Sequence, residues 1–223
     1  MNLPQGRVAV KVCGINREDD ALAAIEAGAD LLGFNTWEGT KRHLDLEKNA
    51  DWLARLPASI IRVALLVNAQ PDFAARIAAL PFVDALQVHG DEDAAECARL
   101  AALGKPIIKA LRAQDPAVNS GAGAFSTTHV LLDAHVPGAY GGTGARVDLD
   151  LARRFREDNP ALTVWLAGGL RPENVADAVR IVQPAVVDVS SGVESEPARK
   201  DTAKMRAFVQ AARDASDQYT RTS

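Results

Sequence analysis

Eight short apolar runs recur along the chain, and most are followed by a segment with the hydrophobic spacing of an amphipathic helix. The runs are RVAVKVC, DLLGFN, IIRVALLV, DALQVH, PIIKAL, HVLLDA, LTVWLAG and AVVDVSSG. Near-continuous apolarity is typical of strands covered on both faces, as in a parallel sheet. Eight strand–helix units in succession, without a linker, predict an α/β protein with a closed (β/α)8 (TIM) barrel. An open doubly wound sheet is the alternative.

The chain length fits one such barrel. At 223 residues we predict a single domain over residues 1–223, with a polar C-terminal tail at about 218–223. The intervening segments carry ordinary helix signals: in REDDALAAIEAG, acidic residues open the helix and Gly28 closes it. The segment PAVNSGAGAFSTTH, rich in glycine and serine, predicts only a short or irregular helix between the fifth and sixth strands.

Charge and cysteine content exclude several classes of protein. The net charge is −4 and no block of Lys and Arg occurs, so a nucleic-acid partner is not expected. There is no signal-peptide pattern, and no apolar stretch approaches the roughly 18 residues of a membrane span. We therefore predict a cytoplasmic protein without membrane contact. Cys13 and Cys97 make neither a disulfide framework nor metal-ligand spacing, and Cys97 falls in a helical pattern, ECARL, that indicates packing.

The carboxyl ends of the strands are the places where a barrel of this type forms its active site. Several of the predicted strands end in polar residues, which a buried strand does not need for packing. They are Lys11 and Cys13, Gln87 and His89, Lys109 and Arg112, Asp133, and Asp188 and Ser190. This concentration of polar groups predicts a site at that end of the barrel.

Lys11 and Cys13 are two residues apart on one strand, so their side chains project to the same side. An ammonium group beside a thiol favours the thiolate, which would make Cys13 a usable base or nucleophile. A lone buried cysteine is also commonly a small apolar core residue. Asp133 ends another apolar strand, where a carboxylate without a partner is costly. A base at one strand end and a carboxyl acid at another suit acid–base chemistry.

Three glycine-rich turns follow the later strands: YGGTG at 140–144, AGGL at 167–170 and VSSGVE at 189–194. The loops after the seventh and eighth strands commonly form the phosphate site of these barrels, because glycine lets backbone N–H groups approach an anion. We predict phosphate binding by Gly168, Gly169, Ser191 and Gly192.

His89 and Arg42 each have two interpretations. His89, in QVHGDE, is either a site residue or a hydrogen-bonded core histidine, and no second His or Cys lies nearby to make a metal site. Arg42, in GTKRHL, lies in the loop after the second strand, where a basic side chain is commonly only solvated. It becomes important if the substrate carries a second anion besides phosphate.

Taken in order, the motifs resemble those of the phosphoribosylanthranilate isomerase family of tryptophan biosynthesis. The matching stretches are KVCGI, EAGADLLGF, QVHGDE, IIKALR, LLD, GGTG, LAGGLRPENV and VDVSSGVE, with RKD at 199–201 beyond them. The resemblance covers nearly the whole chain and is far more specific than any single motif.

The resemblance implies an isomerase that converts N-(5-phosphoribosyl)anthranilate to 1-(2-carboxyphenylamino)-1-deoxyribulose 5-phosphate. It implies an Amadori rearrangement without a cofactor or a metal, with Cys13 as general base, Asp133 as general acid and Arg42 against the anthranilate carboxylate. We assign Lys11, His89 and Asp188 to substrate binding as well. The expected partner is a small phosphosugar, and the expected state is a monomer or homodimer.

Two other functions remain as alternatives. The related isomerase of histidine biosynthesis performs the same type of rearrangement, but that family has an aspartate at the position of Cys13 and two phosphate sites. The other alternative is an inactive barrel that binds a sugar phosphate as a sensor, and the presence of both Cys13 and Asp133 argues against it.

Overall fold

Eight parallel strands form a closed barrel in chain order in the computed structural model, which describes residues 1–112, 125–134 and 146–220, the side chains of 218–220 excepted. The strands are β1 Ala9–Cys13, β2 Leu31–Asn35, β3 Ile61–Leu66, β4 Ala85–Val88, β5 Ile107–Arg112, β6 His129–Asp133, β7 Thr163–Leu166 and β8 Val186–Val189. The barrel closes where β1 pairs with β8, with Lys11 opposite Asp188. The predicted (β/α)8 barrel is confirmed, and an open doubly wound sheet is excluded because its end strands would not pair.

Helices follow most of the strands. Those in the described residues are α1 Glu18–Glu26, α2 Ala50–Arg55, α3 Pro71–Ala79, α4 Ala94–Ala101, α5 Leu149–Asp158, α6 Val175–Val182 and α7 Thr202–Thr220. A short 3-10 helix, Ser191–Val193, follows β8, and an antiparallel hairpin of β9 Glu194–Glu196 and β10 Arg199–Lys200 comes next. Three residues of the predicted polar tail, 218–220, thus belong to α7.

Local signals explain where several helices begin and end. Three acidic residues, Glu18, Asp19 and Asp20, occupy the first turn of α1, where the helix dipole favours negative charge. Gly28, just beyond the end of that helix, has a φ angle of +97°, which glycine adopts without strain. The side chain of Asp148 caps α5 by accepting a hydrogen bond from the Leu151 N–H at 3.0 Å. None of the helices in the described residues is both long and apolar enough to cross a membrane.

The barrel interior is apolar toward the amino ends of the strands and polar toward their carboxyl ends. Ala9, Leu31, Val63, Ala85 and Trp165 are fully buried members of the inner apolar cluster, and Trp165 is the largest fully buried side chain among the described residues. A second, larger cluster lies between the sheet and the helices. The apolar cluster packs the lumen toward the amino ends of the strands, so the polar carboxyl ends are where a functional site is expected.

Two predicted features lie outside the described residues. The GGTG turn at 141–144 is one, and most of the PAVNSGAGAFSTTH segment is the other.

Candidate active site

Lys11 and Asp188 form a buried ion pair inside the barrel. The Lys11 ammonium lies 3.1 Å from each carboxylate oxygen of Asp188, and the two side chains are 0% and 7% exposed. Strand register accounts for the contact, since the two residues face each other across the β1–β8 pairing that closes the barrel. Burial acts to lower the pKa of Lys11, but the charges of Asp188 and Cys13 outweigh it and raise that pKa. The lysine is therefore held as an ammonium ion.

The Cys13 thiol lies beside that ammonium group. A Cβ atom on Gly33 would lie 2.8 Å from both the Cys13 Sγ and the Lys11 Nζ atoms, so the missing side chain of Gly33 is what leaves room for the two groups. Burial raises the pKa of the Cys13 thiol, and the Lys11 charge acts in the opposite direction. The two side chains are neighbours, as the sequence predicted. Desolvation opposes the effect of the Lys11 charge on the thiol pKa.

His89, directly after β4, and Asp133, the last residue of β6, are brought together. The His89 Nε2 atom lies 3.2 Å from the Asp133 Oδ2 atom, and the backbone N–H of Ala134 donates to Oδ1 at 2.8 Å. On the other side of the ring, the Gln87 amide nitrogen lies 2.9 Å from His89 Nδ1. If the amide donates to Nδ1, the ring carries its proton on Nε2 and donates it to Asp133. A fully buried glutamine thus orients the imidazole toward the carboxyl group.

Arg42 is held by a glutamate that the sequence reasoning did not assign. Its Nε and Nη2 atoms each donate to one carboxylate oxygen of Glu194, both at 2.8 Å. The ammonium of Lys200, whose side chain is fully buried, also donates to Glu194 at 2.8 Å. Its two cationic partners hold the pKa of Glu194 at about 2, against the effect of burial. Both missed residues fall in stretches quoted for the family resemblance, VDVSSGVE and RKD, which was the available signal.

The predicted phosphate-binding residues lie on two adjacent turns. Gly168 and Gly169 have φ angles of +91° and +63°, and a Cβ atom on Gly168 would lie 2.7 Å from the backbone nitrogen of Ala134, next to Asp133. Gly192 packs so closely on the other turn that a Cβ atom would lie 1.9 Å from the Leu170 carbonyl oxygen. Within the described part of the chain, the N–H groups of Gly169, Ser191 and Gly192 donate to no acceptor. Free N–H groups on packed glycine turns suit an anion.

These positions share one end of the barrel. Arg42 packs over Gly14, the residue after Cys13, and a Cβ atom on that glycine would lie 2.5 Å from the arginine Cδ atom and 3.1 Å from the Ser190 Oγ atom. Trp37, another residue that the sequence reasoning left out, packs against the cluster of Cys13, Leu65 and Val67. The arrangement places a thiol, a carboxyl group, an arginine and the two glycine turns at one end of the barrel.

The closed barrel and this polar end define the class of the protein, a (β/α)8-barrel enzyme. A sequence profile described as N-(5'phosphoribosyl)anthranilate (PRA) isomerase matches residues 10–211. The chain belongs to the N-(5'-phosphoribosyl)anthranilate isomerase family. The family and enzyme class that the sequence predicted, an isomerase of tryptophan biosynthesis, are confirmed.

Relatives and solved structures support that assignment over nearly the full length. The isomerase of Thiobacillus denitrificans is 46% identical over 210 residues, covering 92% of this chain and 98% of the relative. That of Geobacter metallireducens is 43% identical over 206 residues, covering 92% and 99%. The crystal structure of the Thermotoga maritima isomerase superimposes with a TM-score of 0.83 at 33% identity, covering 92% and 98%. A structure of such an isomerase, with a TM-score of 0.80, 33% identity and the same coverage, contains reduced 1-(o-carboxyphenylamino)-1-deoxyribulose 5-phosphate.

Proposed function

We propose that this chain catalyses the Amadori rearrangement of N-(5-phosphoribosyl)anthranilate to 1-(2-carboxyphenylamino)-1-deoxyribulose 5-phosphate without a cofactor, with Cys13 as general base and Asp133 as general acid. The observation that carries the proposal is that the thiol and the carboxyl group each have a polar partner at the same end of the barrel. The Cys13 thiol lies beside the Lys11 ammonium, and the Asp133 carboxyl group contacts His89 at 3.2 Å. The expected partner is a small phosphosugar.

The first step is ring opening. Asp133 gives its proton to the ribose ring oxygen, the C1–O bond breaks, and the nitrogen lone pair forms the C1=N iminium ion. His89, hydrogen-bonded to the carboxyl group, stabilises the carboxylate that remains.

Proton removal from C2 follows. The iminium ion acidifies the C2–H bond, the Cys13 thiolate takes that proton, and the electron pair forms the C1=C2 double bond of an enolamine. Transfer of a proton to C1, with loss of the C2 hydroxyl proton, then gives the ketone. The Lys11 ammonium favours the thiolate that this step requires.

Recognition of the substrate is assigned to its two anionic ends. The N–H groups of Gly169, Ser191 and Gly192, which donate to no acceptor among the described residues, receive the phosphate together with Gly168. Arg42 receives the anthranilate carboxylate. We assign Lys11, His89 and Asp188 to contacts with the part of the substrate between its phosphate and its carboxylate. A cytoplasmic location and a monomer or homodimer remain part of the proposal; a dimeric form is described for the Thermotoga maritima enzyme.

The test is a fluorescence assay of phosphoribosylanthranilate consumption by the purified protein. Wild type is expected to turn over, and Asp133→Asn is expected to lose on the order of 10²–10⁴ in kcat because an amide cannot donate the proton to the ring oxygen. An Asp133→Asn variant that stays active assigns the acid to another residue. A folded wild-type protein that consumes none of this substrate favours a sugar-phosphate sensor, and turnover of a phosphoribosyl aminoimidazole instead favours the histidine-pathway reaction.

A further inference from the structure

Glu194 is a buried carboxylate with two cationic partners on different segments. Its side chain is 5% exposed, and it accepts hydrogen bonds from Arg42 through both oxygens and from Lys200 through one. Arg42 follows β2, Glu194 follows the 3-10 helix, and Lys200 lies in β10. One carboxylate therefore joins the loop after β2 to the turn assigned to phosphate binding.

The same cluster fixes the backbone of that turn. Lys200 also donates to the Ser190 carbonyl oxygen at 3.1 Å, and the ammonium of Lys204 donates to the Glu194 carbonyl oxygen at 2.7 Å. Ser191 and Gly192, whose N–H groups donate to no acceptor among the described residues, lie between these two anchored carbonyls. Any movement of Glu194 must therefore move the turn as well as Arg42.

The orientation of the Arg42 guanidinium group leaves one edge for another carboxylate. A guanidinium group carries five N–H donors in a rigid fork, and Glu194 takes one from Nε and one from Nη2. Among the described residues, the hydrogen bonds of the Arg42 side chain leave the edge formed by Nη1 and the second Nη2 proton for a further bidentate pair. The Glu194 carboxylate has two cationic partners, Arg42 and Lys200, so these three groups together carry one excess positive charge. A second carboxylate at Arg42 would neutralise that charge.

We propose that Glu194 is a positioning residue that aims the free edge of Arg42 at the substrate carboxylate and ties this edge to the phosphate turn. Binding at either anionic end then strengthens binding at the other. The inference rests on the proposed function for the identity of the substrate, but not for the existence of the coupling.

The kinetic test compares Glu194→Gln with Asp84→Asn. Asp84 makes the same kind of forked pair with Arg62, at 2.8 and 3.2 Å, near the amino ends of β3 and β4. Glu194→Gln is expected to raise KM about tenfold with kcat within about threefold of wild type, because uniform binding is lost. Asp84→Asn is expected to leave KM unchanged. A folded Glu194→Gln protein with wild-type KM overturns the proposal, and so does an equal rise in KM for Asp84→Asn.

Two further variants keep the test decisive if Glu194→Gln does not fold. Glu194→Asp keeps the charge but is one methylene too short to reach Arg42 and Lys200 together, and Arg42→Lys keeps the charge but has no fork. Each is expected to raise KM about as much as Glu194→Gln. Wild-type KM in either folded variant overturns the proposal.

A binding experiment separates this inference from the proposed function. Calorimetry with anthranilate, in the absence and presence of saturating inorganic phosphate, measures the coupling directly, and thermodynamic linkage requires it to be reciprocal. Wild type is expected to bind anthranilate about fivefold or more tightly with phosphate present, and Glu194→Gln is expected to show no such gain. Coupling in a wild type that lacks isomerase activity supports the positioning role and rejects the proposed function. An active wild type without coupling rejects the positioning role alone.

Discussion

Two buried lysine–carboxylate pairs lie on opposite sides of the barrel wall. They differ in the further hydrogen bonds that each pair makes. Lys11 pairs with Asp188 inside the barrel, with side-chain exposures of 0% and 7%. Lys109 pairs with Glu92 at 2.9 Å, with exposures of 4% and 1%. Composition and burial are nearly the same, so the difference between the pairs must come from their other contacts.

The Lys109–Glu92 pair is completed by the backbone. Glu92 accepts a second hydrogen bond from the Asn68 N–H at 2.7 Å, and Lys109 donates to the Gly90 carbonyl oxygen at 2.9 Å. Asp188, by contrast, accepts hydrogen bonds only from Lys11 among the described residues. The Lys109–Glu92 pair, whose groups also bond to the backbone, holds the loop after β4 in place. The Lys11–Asp188 pair keeps hydrogen-bonding atoms that can contact a thiol and a ligand.

Cys13→Ser should produce the largest effect on activity, and it changes only a side chain beside the Lys11–Asp188 pair. A hydroxyl group is a much poorer base than a thiolate, so kcat is expected to fall by on the order of 10²–10⁴ while the thermal unfolding midpoint stays close to wild type. Cys97→Ser is the matched control, because Cys97 is a second buried free cysteine away from the strand ends. Near-wild-type turnover by Cys13→Ser would show that the base is another group.

Lys109→Met should break the Lys109–Glu92 pair and affect stability instead. The change leaves Glu92 buried without its ammonium partner, which costs about 3–5 kcal/mol in the free energy of unfolding measured by urea titration. Arg153→Met removes an exposed pair with Glu157, and its cost should stay within about 1 kcal/mol. If Lys109→Met costs no more than this control, the Lys109–Glu92 pair does not stabilise the fold more than an exposed pair does.

The direction in which each lysine points follows from strand alternation. Ile108 and Ala110 belong to the inner cluster, so Lys109 between them faces outward, whereas Lys11 shares the inward side of β1 with Ala9. The sequence therefore allowed the prediction that Lys11 and Cys13 are neighbours. The same alternation of side chains along β5 points Lys109 away from the barrel interior. The sequence analysis had grouped Lys109 with the polar strand ends.

Long-range pairing could not be predicted in the same way. Arg42 and Glu194 are 152 residues apart, and nothing local to either residue indicates that they meet. Eight apolar runs were enough to predict the barrel, because burial on both faces shows in the sequence of each strand separately. The choice of partner for a buried charge depends instead on how loops from different strands converge.

Gly33→Ala sharpens the comparison by crowding only the Lys11–Asp188 pair. The added Cβ atom would meet the Cys13 Sγ and Lys11 Nζ atoms at 2.8 Å and the Lys11 Cε atom at 3.0 Å, so thiol and ammonium must separate. We expect kcat/KM to fall by about 10- to 100-fold, since small displacements of catalytic groups are costly. Unchanged kcat/KM in steady-state assays would mean that the spacing of these two groups does not matter.

Lys11→Met should give the smallest effect on activity, and its signature is a change in the pH profile of kcat/KM. Burial raises the pKa of Cys13, while the charges of Lys11 and Lys200 lower it and that of Asp188 raises it. Removing the Lys11 charge must therefore raise the thiol pKa further. Because the base has to be deprotonated in the free enzyme, the acidic limb of kcat/KM should move to higher pH. At neutral pH we expect about a tenfold loss, equivalent to about 1.4 kcal/mol.

Alkaline buffer should restore part of the activity of Lys11→Met, since the thiol can still ionise there without the ammonium. Lys109→Met is the matched control: it removes an equally buried lysine from the same sheet, and its acidic limb should coincide with that of wild type. A loss for Lys11→Met that is equal at every pH would make Lys11 a substrate contact rather than the group that favours the thiolate. A limb that moves in both variants would mean that the two pairs act on Cys13 alike, through general charge rather than through contact.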